Sequence, residues 1–141
     1  MKYIKLSGAC LNQTPLDFNG NTQHILDAIE AAKTQQVSIL NLPELAISGY
    51  GCEDAFFNEY VLTRSLQSLE EIVEATEGLT VCVGLPMSYE HCLYNVVAMI
   101  HDQELLGFVP KQMLPGDGIY YEPRWFKPWE EGLIASYEWE G

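Results

Sequence analysis

Short runs of continuous apolar residues alternate along this chain with longer stretches in which apolar positions recur every three or four residues. Tyr3 to Leu11 reads as a strand. Ile25, Ile29 and Ala32 then share one face at the four-then-three spacing of a helix, with Asn21 placed to cap it. Val37 to Leu42 is nearly all apolar, as a strand covered on both faces requires. Asp54 to Thr76 predicts a longer helix whose apolar stripe is Leu62, Leu66, Leu69 and Val73. Glu70, Glu71, Glu74 and Glu77 fall on its wet side, and Gly78 ends it. Leu79 to Leu85 is a further apolar strand, stopped by Pro86. Tyr94 to Ile100 and Leu105 to Val109 flank the segment HDQE, which reads as a hairpin turn.

Helix-linked strands followed by a hairpin indicate an α/β or α+β fold. From Pro110 the character changes. The run PKQMLPGDGIYYEPRWFKPWEEG carries prolines at 110, 115, 123 and 128 and five aromatic residues, too interrupted for a regular element and too aromatic for a solvated linker. Such a segment must pack against the rest of the molecule. No repeat, low-complexity tract or linker divides the chain, so residues 1–141 read as one domain.

Charge narrows the partners. Seven Lys and Arg against twenty Asp and Glu give a formal net charge of −13 in 141 residues, which repels a phosphate backbone and an anionic membrane surface alike. No apolar run approaches the roughly 18 residues of a spanning helix. No nucleic acid and no membrane are therefore expected as partners, and a cytoplasmic location is the expectation. A hydrophobic content of 48% is enough to build a core.

The four cysteines, Cys10, Cys52, Cys82 and Cys92, contain no CxxC pair. Cys10 and Cys82 fall within predicted strands and read as buried structural thiols. A zinc site from Cys82, His91 and Cys92 is disfavoured, because adjacent residues on an extended chain point to opposite faces. His24, His91 and His101 read as surface histidines.

Two charged residues stand out by position. The apolar strand ending at Leu42 delivers Pro43 and Glu44 at its carboxyl end, where open α/β sheets place functional groups. A carboxylate there is costly to bury without a cationic partner or hydrogen bonds, and an exposed, water-satisfied glutamate is the alternative. The strand ending at Val109 delivers Lys111 in the same manner, in a chain with few basic residues. A lysine beside a glutamate in a cleft supplies the missing counter-charge.

The segments LPELAISGYGCEDAF and VPKQMLPGDGIYYEPRWFKPW resemble the nitrilase superfamily, and within it the glutaminase domains of glutamine-dependent NAD synthetases. ACLNQTPLDFNGN, VCVGLP and YNVVAMIHDQELLGFVPK extend the resemblance over the whole chain. The resemblance implies part of an αββα four-layer sandwich and a Glu, Lys and Cys triad that hydrolyses glutamine. On the matching positions Glu44 would be the general base and Lys111 the stabiliser of the oxyanion. Glu122 would help position the lysine or the substrate, with an ion pair to Arg124 as the alternative for that carboxylate; Tyr50, in the Gly-Tyr-Gly turn after Glu44, and Tyr121 are candidates for contacting the substrate, a core or interface tyrosine being the alternative for Tyr50.

Cys52, in GYGCEDAF, belongs by resemblance to the glutamate motif, although a helix N-terminus beside it would lower its pKa. The family's nucleophile follows an apolar strand well downstream of the lysine, beyond Gly141. The chain is therefore expected to be an N-terminal portion of the domain, inactive alone, with part of its interior exposed. No cofactor is expected in this portion; ATP and Mg belong to the downstream synthetase domain that receives the ammonia, and a homo-oligomer is expected at full length. A free-standing amidase and a non-catalytic binding remnant are the alternatives.

Overall fold

The computed structural model describes residues 3–138. Five strands form one mixed sheet in the order β1 (Leu6–Gly8), β2 (Ile39–Asn41), β3 (Thr80–Tyr89), β4 (Cys92–His101) and β5 (Glu104–Pro110). The first three run parallel; β3, β4 and β5 are antiparallel. Helix α1 (Phe18–Thr34) connects β1 to β2, and a 3-10 helix (Tyr50–Phe57) with α2 (Glu59–Glu74) connects β2 to β3. Sequential parallel strands joined by right-handed crossovers place both helices on one face of the sheet. Ile25, Ile29, Leu69 and Ile72 accordingly share a single buried core with Leu40, Val81, Val83, Leu85, Ala98 and Ile100. The α/β architecture expected from the alternation of elements is the one observed.

Several boundaries differ from the sequence expectation, each for a physical reason. The strand expected over Tyr3 to Leu11 is paired only at Leu6–Gly8, at the sheet edge, and Leu6 is 69% exposed. Cys10 lies beyond that strand and is exposed, so it is no buried structural thiol. The second strand is paired only over Ile39–Asn41, within the expected run Val37 to Leu42. Helix α1 is capped by Asp17, whose side chain accepts from the Gly20 amide. Asn21, expected as the cap, sits one turn inside, fully buried; its side chain bonds Thr14 through both backbone groups and the Ile47 carbonyl.

Helix α2 begins at Glu59 rather than Asp54, because Asn58 caps it and the preceding turn is a kinked 3-10 segment. Its buried stripe is Val61, Ser65, Ser68, Leu69 and Ile72, rotated from the expected one; Leu62, Leu66 and Val73 are only half-buried. Two of the buried positions are serines, which an apolarity pattern passes over; the Ser65 hydroxyl is satisfied within the helix by the Val61 carbonyl at 2.8 Å. The four glutamates of the opposite face are exposed as expected.

Strand β3 does not stop at Pro86 but runs to Tyr89, with Pro86 opposite Asn95. β2 pairs with β3 no further than Cys82, so beyond that point this side of β3 has no neighbouring strand, and proline's missing N–H leaves no ladder bond unmade. The β3–β4 turn at Glu90 and His91 and the β4–β5 turn at Asp102 and Gln103 are two-residue turns with positive φ at both positions, the geometry that matches strand twist. The second is the turn expected in HDQE.

The sheet face opposite the helices carries Cys82 and Val97, half-buried, and the more exposed Met99 and Val109. The aromatic segment after β5 folds back as expected: Trp129 meets the rings of Tyr89 and Tyr94, and Phe126 is buried against Phe56. That segment also contains one short helix, α3 (Glu122–Trp125), where no regular element was expected.

Candidate active site

The site is assembled at the carboxyl ends of β2 and β5. After β2 the chain makes a compact loop from Pro43 to Gly49 in which the backbone oxygens of four successive residues are engaged. Gly49 N bonds Leu45 O, Gln13 Nε2 bonds Ala46 O, Asn21 Nδ2 bonds Ile47 O and Leu16 N bonds Ser48 O. Leu45 is held at φ +50, a left-handed conformation that is costly for a bulky residue and is kept here by burial to 1% exposure. The loop also lies directly on β3, with Ile47 N bonded to Gly84 O at 3.2 Å. Glu44 is projected from this clamped loop, its side chain 40% exposed.

Lys111 follows the last residue of β5; its amide donates to Asn95 O and its carbonyl accepts from Trp129 N. Its ammonium Nζ lies 2.5 Å from Glu44 Oε1 and 2.9 Å from Glu122 Oε2, with Glu122 Oε1 at 3.1 Å. Burial works against the charge on Lys111, but the hydrogen bonds and fields of the two carboxylates outweigh it and hold the ammonium above the ordinary lysine pKa. Glu122 is the first residue of α3 and its side chain is 1% exposed. The Tyr50 hydroxyl donates to its Oε1 at 2.8 Å. Burial, reinforced by the Glu122 hydrogen bond and carboxylate, pushes that hydroxyl well above the ordinary tyrosine pKa, so it is a proton donor throughout the neutral range.

Glu44, Lys111, Glu122 and Tyr50 are thus brought into one hydrogen-bonded chain. Glu122 stands behind the lysine with its carboxylate turned to Lys111 and Tyr50, a geometry that suits positioning rather than direct contact with a ligand. The alternative pairing of Glu122 with Arg124 does not form. Arg124 instead makes a two-pronged pair with Asp54, at 2.6 and 2.7 Å, and Trp125 Nε1 donates to the same carboxylate at 2.9 Å. These bonds hold the Asp54 carboxyl well below its usual range and fasten α3 to the 3-10 helix that carries Tyr50.

Tyr121 is not brought into the hydrogen-bonded cluster; it is 59% exposed and lines, with Ile119, Asp54 and Arg124, a hollow that Tyr50 also borders. Its neighbour Tyr120 is the ring that meets Tyr50, edge-on at 6.4 Å.

One residue of the site was missed by sequence reasoning. Asn95, 4% exposed in the middle of β4, donates from Nδ2 to Glu44 Oε1 at 2.5 Å. The available signal was a lone amide side chain inside the apolar run LYNVVAMI, a residue type that strands disfavour.

Cys52 is not activated. It is buried, its thiol directed at the carbonyls of Ser48 and Gly49, and desolvation raises its pKa despite partial compensation from hydrogen bonds involving Leu16 and Ser48. The expected lowering by a helix N-terminus fails, because the 3-10 segment is kinked at Gly51 and Glu53 and presents no regular helix end to the sulfur. No cysteine is hydrogen-bonded to Glu44, Lys111 or Glu122 among the described residues. Among those residues, too, no group of three or more His, Cys, Asp or Glu side chains is placed to hold a metal ion, and no helix is long and apolar enough to cross a membrane.

The family model for carbon-nitrogen hydrolases matches residues 7–137. A glutamine-dependent NAD(+) synthetase of Dictyostelium discoideum is 37% identical over 139 residues, covering 96% of this chain and 20% of that protein. The Homo sapiens protein of the same name is 38% identical over 128 residues, covering 89% and 18%. The chain therefore spans about one fifth of the length of these curated relatives. Among solved structures, a glutamine-dependent NAD(+) synthetase from Cytophaga hutchinsonii superposes with a TM-score of 0.95 at 41% identity, over 97% of this chain and 24% of that one. An amidase from Nesterenkonia sp. superposes with a TM-score of 0.78 at 21% identity, over 95% and 51%, a likeness of fold.

Proposed function

We propose that this chain, which belongs to the carbon-nitrogen hydrolase family, supplies the base and the cationic group of a glutaminase site serving glutamine-dependent NAD synthesis. The observation that carries the reading is the meeting of Glu44 and Lys111, 67 residues apart in sequence and delivered from the carboxyl ends of β2 and β5 with two strands between them, with Glu122 buried behind the lysine. The activity named for the relatives supports glutamine among carboxamides.

On this reading Glu44 takes the proton of a cysteine thiol, and the thiolate attacks the carboxamide carbon of glutamine. The Lys111 ammonium, held in its charged form by two carboxylates, stabilises the oxyanion. The C–N bond breaks as the nitrogen recovers the proton from Glu44, and ammonia leaves a thioester. Water, losing its proton to Glu44, attacks the thioester carbon; the C–S bond breaks, glutamate departs and the thiol is restored. The burial of Cys52 and its contacts with Ser48 and Gly49 support a thiol supplied from outside these 141 residues. Tyr50 and Tyr121 are proposed at the substrate side. The ammonia would pass to a synthetase unit that aminates deamido-NAD at the expense of ATP; assembly as a homo-oligomer and a cytoplasmic location belong to the same reading.

The test is a chimera in which residues 1–141 replace the matching segment of the Cytophaga hutchinsonii protein. It should release ammonia from glutamine, and E44Q and K111M should each slow that release roughly 100-fold or more. Release at the unsubstituted rate by E44Q would overturn the assignment of the base.

A further inference from the structure

Asn95 is tied to both charged groups of the site, by different atoms. Its side-chain Nδ2 donates to Glu44 Oε1 at 2.5 Å, across 51 residues of sequence, and its carbonyl accepts the Lys111 amide at 2.9 Å. It is buried to 4% exposure within β4, where Val96 pairs with Pro110 at the end of β5 and Pro86 stands across on β3. The side chain thus issues from a strand paired on both sides, with β3 on one and β5 on the other.

The terminal torsion of a glutamate is broad and roughly two-fold, so one hydrogen bond leaves its carboxylate free to turn. Lys111 provides one donor, on a flexible four-carbon stem with three rotatable N–H bonds, and cannot by itself set the plane of the group. Asn95 provides a second donor, planar and rigidly mounted, to the same oxygen. Two donors arriving on Oε1 from different strands fix both the position and the plane of the carboxylate. Oε2, to which neither donor is directed, remains the oxygen that meets a reactant.

We infer that Asn95 is a positioning residue that locks Glu44 through Oε1 and so assigns proton acceptance to Oε2. The inference deepens the glutaminase reading and relies on it only for the chemical consequence; the positioning itself is read without substrate. In the 15N-labelled chain one Asn95 side-chain amide proton should resonate downfield of an ordinary asparagine and exchange with solvent roughly tenfold more slowly. Both features should vanish in E44A while its circular dichroism stays that of the parent. An Asn95 amide signal unmoved by E44A would overturn the inference.

A crystal structure of N95L provides the second arm. The Glu44 carboxylate should turn out of its original plane while Lys111 N keeps its bond to the residue 95 carbonyl. A carboxylate unmoved in N95L would equally overturn it. The two readings fail separately. An inactive chimera with the amide signature intact speaks against the glutaminase assignment alone, and hydrolysis without the signature speaks against Asn95 alone.

Discussion

Glu44 reaches Lys111 because the backbone beneath it passes very close to β3, and Gly84 is the residue that allows the approach. A Cβ built on Gly84 would stand 2.8 Å from Pro43 O, 3.0 Å from the Glu44 carbonyl carbon and closer still to Leu45 N. All three are backbone atoms, so no rotamer change relieves the clash. Ordinary contact distances of about 3.5 Å require the loop to withdraw by about 1 Å in G84A. Overpacking of this kind costs about 1–3 kcal/mol, and stretching the Ile47 N to Gly84 O bond costs about 1 kcal/mol more. A total of about 2–4 kcal/mol lowers the melting temperature of a domain this size by roughly 7–14 °C. A displacement of about 1 Å at the base should also slow glutamine hydrolysis in the chimera by about 100-fold. Thermal melts followed by circular dichroism, with G8A as control, test the stability term. A Cβ at Gly8 meets nothing nearer than Asn41 O at 4.0 Å, so G8A should melt close to the parent. A G84A variant melting within about 2 °C of the parent, a shift of under about 0.6 kcal/mol, would refute the close-approach argument.

Three further outcomes follow from the same geometry. Tyr50 and Lys111 both have folded-state pKa values raised above their ordinary 10.0 and 10.5, so their contribution to stability is complete below about pH 10 and is lost as pH rises through the elevated values. Urea midpoints measured across that alkaline window should fall less steeply in Y50F than in the parent; equal slopes would contradict the coupling. N21A leaves the Thr14 amide and the Ile47 carbonyl without their partner, the Thr14 carbonyl keeping the Asp17 amide, and should cost about 2–3 kcal/mol in urea unfolding, against less than 1 kcal/mol for an exposed helical asparagine. Alkylation by iodoacetamide at neutral pH, mapped by mass spectrometry, should label exposed Cys10 first and buried Cys52 last, and early labelling of Cys52 would reopen it as a nucleophile.

The alternation of apolar runs and helical spacings, read along the chain alone, determined the class of fold, the faces of α1 and the wet side of α2, the hairpin at Asp102 and Gln103, and the placement of Glu44 and Lys111 at strand ends. Each of these depends on local periodicity or on a residue's position relative to its own element, and such information is carried within about ten neighbouring residues. What surrounds the two charged groups depends on which strands pair and in what register, and that was decided only by the tertiary structure. Asn95 meets Glu44 across 51 residues and Tyr50 meets Glu122 across 72, distances over which no local pattern carries information. The same holds for Gly84, whose missing side chain matters only because another segment lies on it, and for Arg124, which neighbours Glu122 in sequence but pairs with Asp54. Pro86 ends a strand in most contexts and continues one here because the adjacent strand is short. Periodicity reports which side of an element is dry; which groups meet there is set by long-range packing, because hydrogen bonds and ion pairs depend on distance in space rather than along the chain.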